Sequence, residues 1–298
     1  MAFDESIAGV RPFFLFQVFW MSRQEKATLT KRVEFCASHR YHNPAWDAET
    51  NRRVFGRCNN EPSHGHNYLL EVTLSGDIDP VTGMIINIYD LKQYLWEILE
   101  EFDHKHLNLD TPYFQRTIPT TENLVHVLWR LFSHHPRIPT LEHIRLYEDE
   151  DLFADLSRAW VEESRATGVP RARVTRMYRF SAGHTEDEHL WGHDYSVSVA
   201  VDGPIHPETG QVVDLSDLDA LVTRNVLDRF HGKDLRWDPA FQGQSVSEVA
   251  LAGVIYRSLA NRLRMGQVAG ISVRASHRSE ACYMAAEHDA VFSAFPPS

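Results

Sequence analysis

The sequence predicts an α+β fold in which one domain is written twice, each copy a four-stranded antiparallel sheet with two helices on one face. Three observations predict it. "GDIDPVTGMIINIYDL" (76–91) returns as "GPIHPETGQVVDLSDL" (203–218), and "HGHNY" (64–68) returns as "WGHDY" (191–195), both 127 positions on. "FCASH" (35–39) returns as "FSAGH" (180–184), 145 positions on. Self-similarity at a near-constant offset marks a repeated structural unit. Second, "NYLLEVTLSG" alternates apolar and polar residues and is rich in β-formers, the signature of a half-buried strand. Third, in "YDLKQYLWEILEEF" the residues Leu91, Tyr94, Leu95, Ile98, Leu99 and Phe102 recur at i, i+3, i+4 and i+7, an amphipathic helix.

Each copy therefore reads as strand, strand, helix, helix, strand, strand. "DPVTG" and "HPETG" are turn signals between the second strand and the first helix. Asp90 is placed to N-cap that helix, and "TENLVHVLWRLF" gives the second, with Leu124, Leu128, Leu131 and Phe132 inward. "HIRLYED" and "GISVRAS" read as later strands. The expected division is an extension over 1–30, a first copy over 31–156, a linker over 157–172 and a second copy over 173–298. The extension could be an arm, an edge strand or a start read too early, with Met21 the alternative start; the residues leave these open. Two helices cover one sheet face, so the other needs a cover, which suggests self-association.

The chain has 298 residues, 43% of them hydrophobic, and a net charge of −11 from 30 basic and 41 acidic residues. That balance excludes a general nucleic-acid binder, which needs a basic face. The apolar segment 10–20 is too short to span a bilayer, so no membrane partner is expected. Three cysteines without framework spacing point to a reducing, cytoplasmic setting.

His64 and His66 are two apart, and on a strand such residues project from the same face. Two imidazoles on one face can hold one ion, and His39 at the end of "VEFCASH" is the candidate third. Three histidines with an open fourth position is the pattern of a catalytic zinc site, although iron or nickel also suits imidazole.

"VFGRCNNEPSHGHNY", "GDIDPVTGMIINIYDLK", "FDHKHLNLDTPYF", "PTTENL" and "LYED" together resemble the 6-pyruvoyl-tetrahydropterin synthase family, which includes the 6-carboxytetrahydropterin synthases. The resemblance covers about residues 33–150 densely and about 173–290 in outline. It implies two tandem tunnelling-fold (T-fold) domains and a zinc-dependent lyase that converts 7,8-dihydroneopterin triphosphate, eliminating triphosphate. It further implies that His39, His64 and His66 bind Zn2+, that Cys58 is the catalytic base, and that Asp103 and His104 are an acid/base pair. The metal's charge and Arg57 are the expected sources of a lowered Cys58 pKa. Glu148 matches the pterin anchor, where a carboxylate accepts two ring N–H groups. Thr120 and Thr121 either touch the pterin or cap the helix beginning near Glu122. In this family the units form barrels with sites between subunits, so a homo-oligomer is expected, a trimer of two-domain chains being one form.

The second copy departs from this pattern. Trp191 stands where His64 stands, leaving His184 and His193. His39 to His64 is 25 positions but His184 to Trp191 is 7, so 18 residues are missing, among them the Cys58 counterpart. An offset of 127 pairs His231 with His104; an offset of 128 pairs it with Asp103. Glu148 falls against "VRASHRSE", with Glu280 nearby. The second copy is expected to be catalytically silent and structural; a metal-free ring site with Trp191 as stacking surface is the alternative. For the whole chain the leading expectation is the 6-pyruvoyl enzyme. The alternatives are the 6-carboxy enzyme of deazapurine (queuosine) biosynthesis, whose cysteine-to-histidine gap is shorter, and a non-catalytic pterin-binding protein.

Overall fold

The computed structural model describes residues 26–186, 189–276 and 279–284. The expected extension therefore lies outside the described residues, except for 26–30. Those five belong to the first strand, β1 (Lys26–His39), so the sheet begins before position 31. Helix α1 (Ala48–Phe55) and a 3₁₀ turn, Gly56–Asn59, follow, then β2 (His64–Asp77), α2 (Ile88–Leu99), the short β3 (Lys105–His106) and α3 (Leu107–Asp110). Next come α4 (Thr121–His134), β4 (Thr140–Asp149), β5 (Leu152–Ser157) and α5 (Arg158–Thr167), a helix where a linker was expected. The second copy runs β6 (Arg171–Glu186), β7 (His189–Pro204), α6 (Leu215–Val222), α7 (Asp228–Phe230), α8 (Glu248–Leu259), β8 (Gln267–Ser276) and β9 (Ser279–Met284).

The nine strands among the described residues form one sheet in the order β3-β1-β2-β4-β5-β6-β7-β8-β9. The seam between copies is the antiparallel pair β5–β6, with Leu152 opposite Arg176 and Asp155 opposite Arg173. The sequence suggests two separate sheets; pairing the inner edge strands satisfies their main-chain groups and merges them. Both copies carry a register shift at the same place, between Thr73 and Leu74 and between Ala200 and Val201.

Helices α2 and α4 bury Leu91, Leu95, Leu99, Leu124, Leu128 and Phe132 against Tyr68, Leu70, Val72 and Leu74 of β2. Phe102 is also buried, just past the end of α2, while Leu131 is only partly covered. The N-cap of α2 is Asn87, not Asp90: its side chain accepts the Tyr89 N–H, and Asp90 sits inside the first turn, where its charge favours the helix dipole. Helices α6 and α8 repeat this packing on β7 and β8, and one apolar core runs through both copies.

The opposite face is mixed, carrying buried ion pairs as well as apolar side chains. Arg145 pairs with Asp155 at 2.7 Å, His143 joins at 3.0 Å, and Arg173 pairs with Asp202 at 2.5 Å. The two arginines and two aspartates are buried, and His143 is partly exposed. Despite its burial, Asp155 is held below the usual carboxylate range by Arg145 and His143. On the same face these ion pairs adjoin a second apolar cluster, Tyr147, Phe153, Met177, Ala200 and Ala269, with the partly buried Leu69 and Met284 packed against it.

The second copy also docks through its "HPETG" turn. Thr120 donates to the Gly210 carbonyl at 2.6 Å, and the Val212 N–H donates to Glu122 at 3.0 Å. Gly210 has φ +73°, and a Cβ there would lie 2.6 Å from the Asn123 amide nitrogen, so the contact requires glycine. Burial raises the Glu122 carboxyl to about 7 from the ordinary 4.5. The folded state thus retains a proton that the unfolded chain releases between about 4.5 and 7. Stability from this group is present below that window and falls as pH rises through it, by on the order of 3 kcal/mol. Glu122→Gln keeps an acceptor for Val212 and removes the charge. Its melting temperature is expected to exceed that of the unsubstituted protein at pH 8 and to match it near pH 5. A parallel loss at both pH values in thermal melts would contradict this.

Candidate metal centre and active site

Strand register builds the site. In the β1–β2 hairpin His39 lies directly opposite His64, and His66 lies two residues on, on the same face. The His39 and His64 Nε2 atoms are 3.2 Å apart. Two nitrogens each ~2.0–2.1 Å from a tetrahedral ion would stand about 3.3 Å apart, so the pair fits one ion. Glu148, from the adjoining strand β4, places Oε1 3.5 Å from His66 Nε2 and 4.0 Å from His39 Nε2. These four side chains hold ligand atoms within 4.8 Å of one another. The buried His66 Nε2 and His64 Nδ1 have no hydrogen-bond partner among the described residues. Orphaned buried imidazole nitrogens beside a carboxylate are the chemistry of a metal-binding set.

Electrostatics favour the neutral form of His39 and His64, as ligation requires. Burial, then the neighbouring His66 and His64, hold His39 well below its ordinary pKa; burial and His66 do the same to His64. His39 is completely buried and its Nδ1 lies 2.8 Å from the Tyr68 hydroxyl oxygen. With Nδ1–H donating to that oxygen, Nε2 is left with its lone pair toward the cluster, free to bind an ion. Tyr68 stays a neutral phenol, because burial and Glu148 raise its pKa. Glu148 Oε2 is occupied: Tyr41 donates to it at 2.8 Å and the Thr121 hydroxyl also donates. Its Oε1 remains directed at the imidazoles, able to join the ion or accept a ligand N–H.

The α1 and 3₁₀ segment folds over this end of the sheet and carries Cys58. The Tyr41 N–H donates to the Cys58 carbonyl at 2.7 Å, and the Asn59 amide donates to the Tyr41 carbonyl at 2.7 Å. The expectation of a lowered thiol pKa is not met by the polypeptide alone. Burial pushes Cys58 up to about 12 and Glu148 adds to it, while Arg57 and Arg176 pull only partly against them.

The two threonines separate. Thr120 is the N-cap of α4, accepting the Asn123 N–H at 3.2 Å, whereas Thr121 touches Glu148. Asp103 and His104 form their own pair at 2.7 Å, grouped with Cys36 rather than with the three imidazoles. Asp103 Oδ1 accepts the Cys36 N–H at 2.8 Å, and His104, at φ +56°, is 79% exposed in its side chain. The hydroxyls of Tyr41 and Tyr68 are the site groups that sequence reasoning missed. Both lie at i+2 from a site histidine, which was the available signal.

Against known proteins, the profile of the family described as 6-pyruvoyl tetrahydropterin synthase matches residues 28–159 and 173–288. The chain belongs to this family. The 6-pyruvoyl tetrahydrobiopterin synthase of Homo sapiens is 40% identical over 130 residues, covering 43% of this chain and 90% of that protein. The Drosophila melanogaster protein of the same name is 47% identical over 132 residues, 43% of this chain and 77% of that one. A putative 6-carboxy-5,6,7,8-tetrahydropterin synthase from Archaeoglobus fulgidus is 35% identical over 96 residues, 32% of this chain and 76% of that one. The solved 6-pyruvoyl tetrahydropterin synthase of Caenorhabditis elegans superposes with a TM-score of 0.41 at 32% identity, covering 43% of this chain and 93% of that one.

The tetrahydropterin synthase profile thus matches both copies, but the second has lost the cluster. Trp191 pairs with His184 as His64 pairs with His39, and it is 56% exposed. The His184 and His193 rings simply stack, centroids 5.2 Å apart. The Cys58 segment has no counterpart, since β6 and β7 form one hairpin. His231 accepts the Ser181 N–H at 3.2 Å and Gly232 N–H donates to the Ser181 carbonyl at 2.7 Å. Asp103 and His104 do the same to Cys36, so the 128 offset is the structural one. Arg274 stands opposite Ser196 as Tyr147 stands opposite Leu69, which puts Ala275 in the place of Glu148. Glu280 instead accepts from the Ser272 hydroxyl and, at 3.4 Å, from Arg274. A carboxylate reappears on the helix: Glu248 follows the cap Ser247 as Thr121 follows Thr120, and it helps burial raise Tyr195 to about 12.

Proposed function

We propose that the protein is a zinc-dependent 6-pyruvoyl-tetrahydropterin synthase, acting on 7,8-dihydroneopterin triphosphate with elimination of triphosphate. Each half is read as one tunnelling-fold unit, with the division into copies near 157–172. The observation that carries the reading is the convergence of His39, His64, His66 and Glu148 on one point. Zinc held by the three imidazoles would supply Lewis acidity toward the side-chain oxygens, acidifying the adjacent C–H bonds.

The chain's own groups do the rest. Glu148 accepts the ring's N–H donors and selects a pterin, with Tyr41 and Thr121 fixing its orientation. Cys58 removes a proton from the substrate side chain. A dication at the imidazoles would add to Arg57 and Arg176 in stabilising its thiolate. Asp103 orients His104 and keeps a proton available at Nδ1. Five residues between Cys58 and His64 favour the pyruvoyl product over the carboxy product.

Self-association is part of the proposal. The first copy's turn and helix start expose Val81, Met84, Ile88 and Tyr89, while the matching turn of the second copy is packed on α4. The reading of a cytoplasmic protein rests on three free cysteines; among the described residues no helix is long and apolar enough to cross a membrane.

Incubation with zinc and 7,8-dihydroneopterin triphosphate, followed by mass analysis, tests the reading. A 6-pyruvoyl product is expected, with about one zinc per chain by metal analysis. A 6-carboxy product with acetaldehyde would move the assignment to the sister activity, and absence of turnover would refute both. Two zinc ions per chain would contradict a metal-free second copy.

A further inference from the structure

The β5–β6 seam brings Arg176 of the second copy opposite the first copy's β5. Strand β6 pairs with β5 so that Arg176 stands opposite Leu152, beside the turn that follows Glu148. By strand alternation Arg176 shares a face with the buried Val174 and Phe180, the helix-covered face on which the imidazole cluster also lies. Its guanidinium reaches Asp219 of α6 only through long contacts, 3.3 Å and 3.4 Å. Asp219 is also committed to the Tyr178 hydroxyl, which donates to it at 2.7 Å. The Arg176 Nη1 group donates to no described residue.

The surroundings define what this group can do. The side chain is 21% exposed, so it is anchored yet open on one side. Burial alone would lower its pKa, but Asp219 and its neighbours raise it, so the charge is permanent. Arg57, on the first copy's 3₁₀ turn, and Arg176 are the two cations that act on Cys58. The charge at Cys58 is therefore felt by one arginine from each copy. In the first copy Lys31 stands where Arg176 does, and Lys92 where Asp219 does, so the acid-anchored arginine is peculiar to the second copy.

We propose that Arg176 is a substrate-positioning residue that binds the phosphate-bearing tail of the substrate at the first copy's site. The ligand chemistry is a polyphosphate ester, because a half-anchored planar guanidinium can still offer two parallel N–H donors to phosphate oxygens. The naming of the tail rests on the triphosphate substrate proposed above. The degenerate copy is then no mere cover: it retains one working side chain.

Two measurements on the full chain test this. Inorganic tripolyphosphate binding is measured by calorimetry, without turnover, for the unsubstituted protein, Arg176→Gln, Arg176→Lys and the control Arg179→Gln. Arg179 pairs with Asp151 and projects from the opposite face. Arg176→Gln is expected to weaken tripolyphosphate binding and raise KM for 7,8-dihydroneopterin triphosphate by about tenfold each, with kcat changed far less. Arg176→Lys, which keeps the charge near Asp219 and serves if the glutamine variant does not fold, should recover part of the binding. Arg179→Gln should bind like the parent. Unchanged tripolyphosphate affinity in a folded Arg176 variant would overturn the proposal. If the parent binds tripolyphosphate through Arg176 yet converts no pterin triphosphate, the anion site stands and the substrate assignment falls.

Discussion

Replacing His39 with alanine is expected to strip the metal from the protein and reduce turnover more than 100-fold, beyond the ~10–100-fold typical of losing an outer partner. The reason is geometric. His39 is the only one of the three imidazoles that comes from β1, it is fully buried, and its ring is oriented by Tyr68. Without it, two histidines of one strand and a single carboxylate oxygen remain, since Tyr41 and Thr121 hold the other Glu148 oxygen. Elemental analysis and steady-state rates check this, with circular dichroism to confirm folding. Full metal occupancy in the folded His39→Ala variant would place the ion elsewhere.

The second large effect concerns the base. Cys58→Ala should lower turnover by about 10²–10⁴-fold, the usual contribution of a positioned proton acceptor, while metal content stays at the parent value. The pH profile carries the mechanistic information. Because burial raises the thiol, the rate in the parent should climb as pH rises toward the thiol's pKa in the loaded protein. In Cys58→Ala that climb should flatten. Loss of metal in this variant would make the cysteine a ligand and overturn the assigned role.

Much of this site could be read in the sequence because strand geometry is periodic. The spacing of His64 and His66 fixes their common face, and a hairpin brings the end of β1 back beside the start of β2. What stayed hidden depends on pairing between distant segments. Tyr41 and Tyr68 gain meaning only once Glu148 and His39 are packed beside them. The Asp103–His104 dipeptide is visible in the sequence, but its attachment to Cys36 follows from the parallel β1–β3 pairing, which sequence pattern does not specify. The misplaced cap at Asp90 has the same origin: where α2 begins is decided by the turn ahead of it, and Asn87 reaches the free N–H first. The carboxylate lost at Ala275 and regained at Glu248 changes both element and position, so no linear alignment can follow it.

The β5–β6 seam has one more consequence. A neighbour held by main-chain pairing within a single polypeptide is present at an effective concentration that dilution cannot change. Whatever Arg176 contributes should persist unchanged down to nanomolar protein, whereas any contribution arriving from a separate chain would fade with concentration.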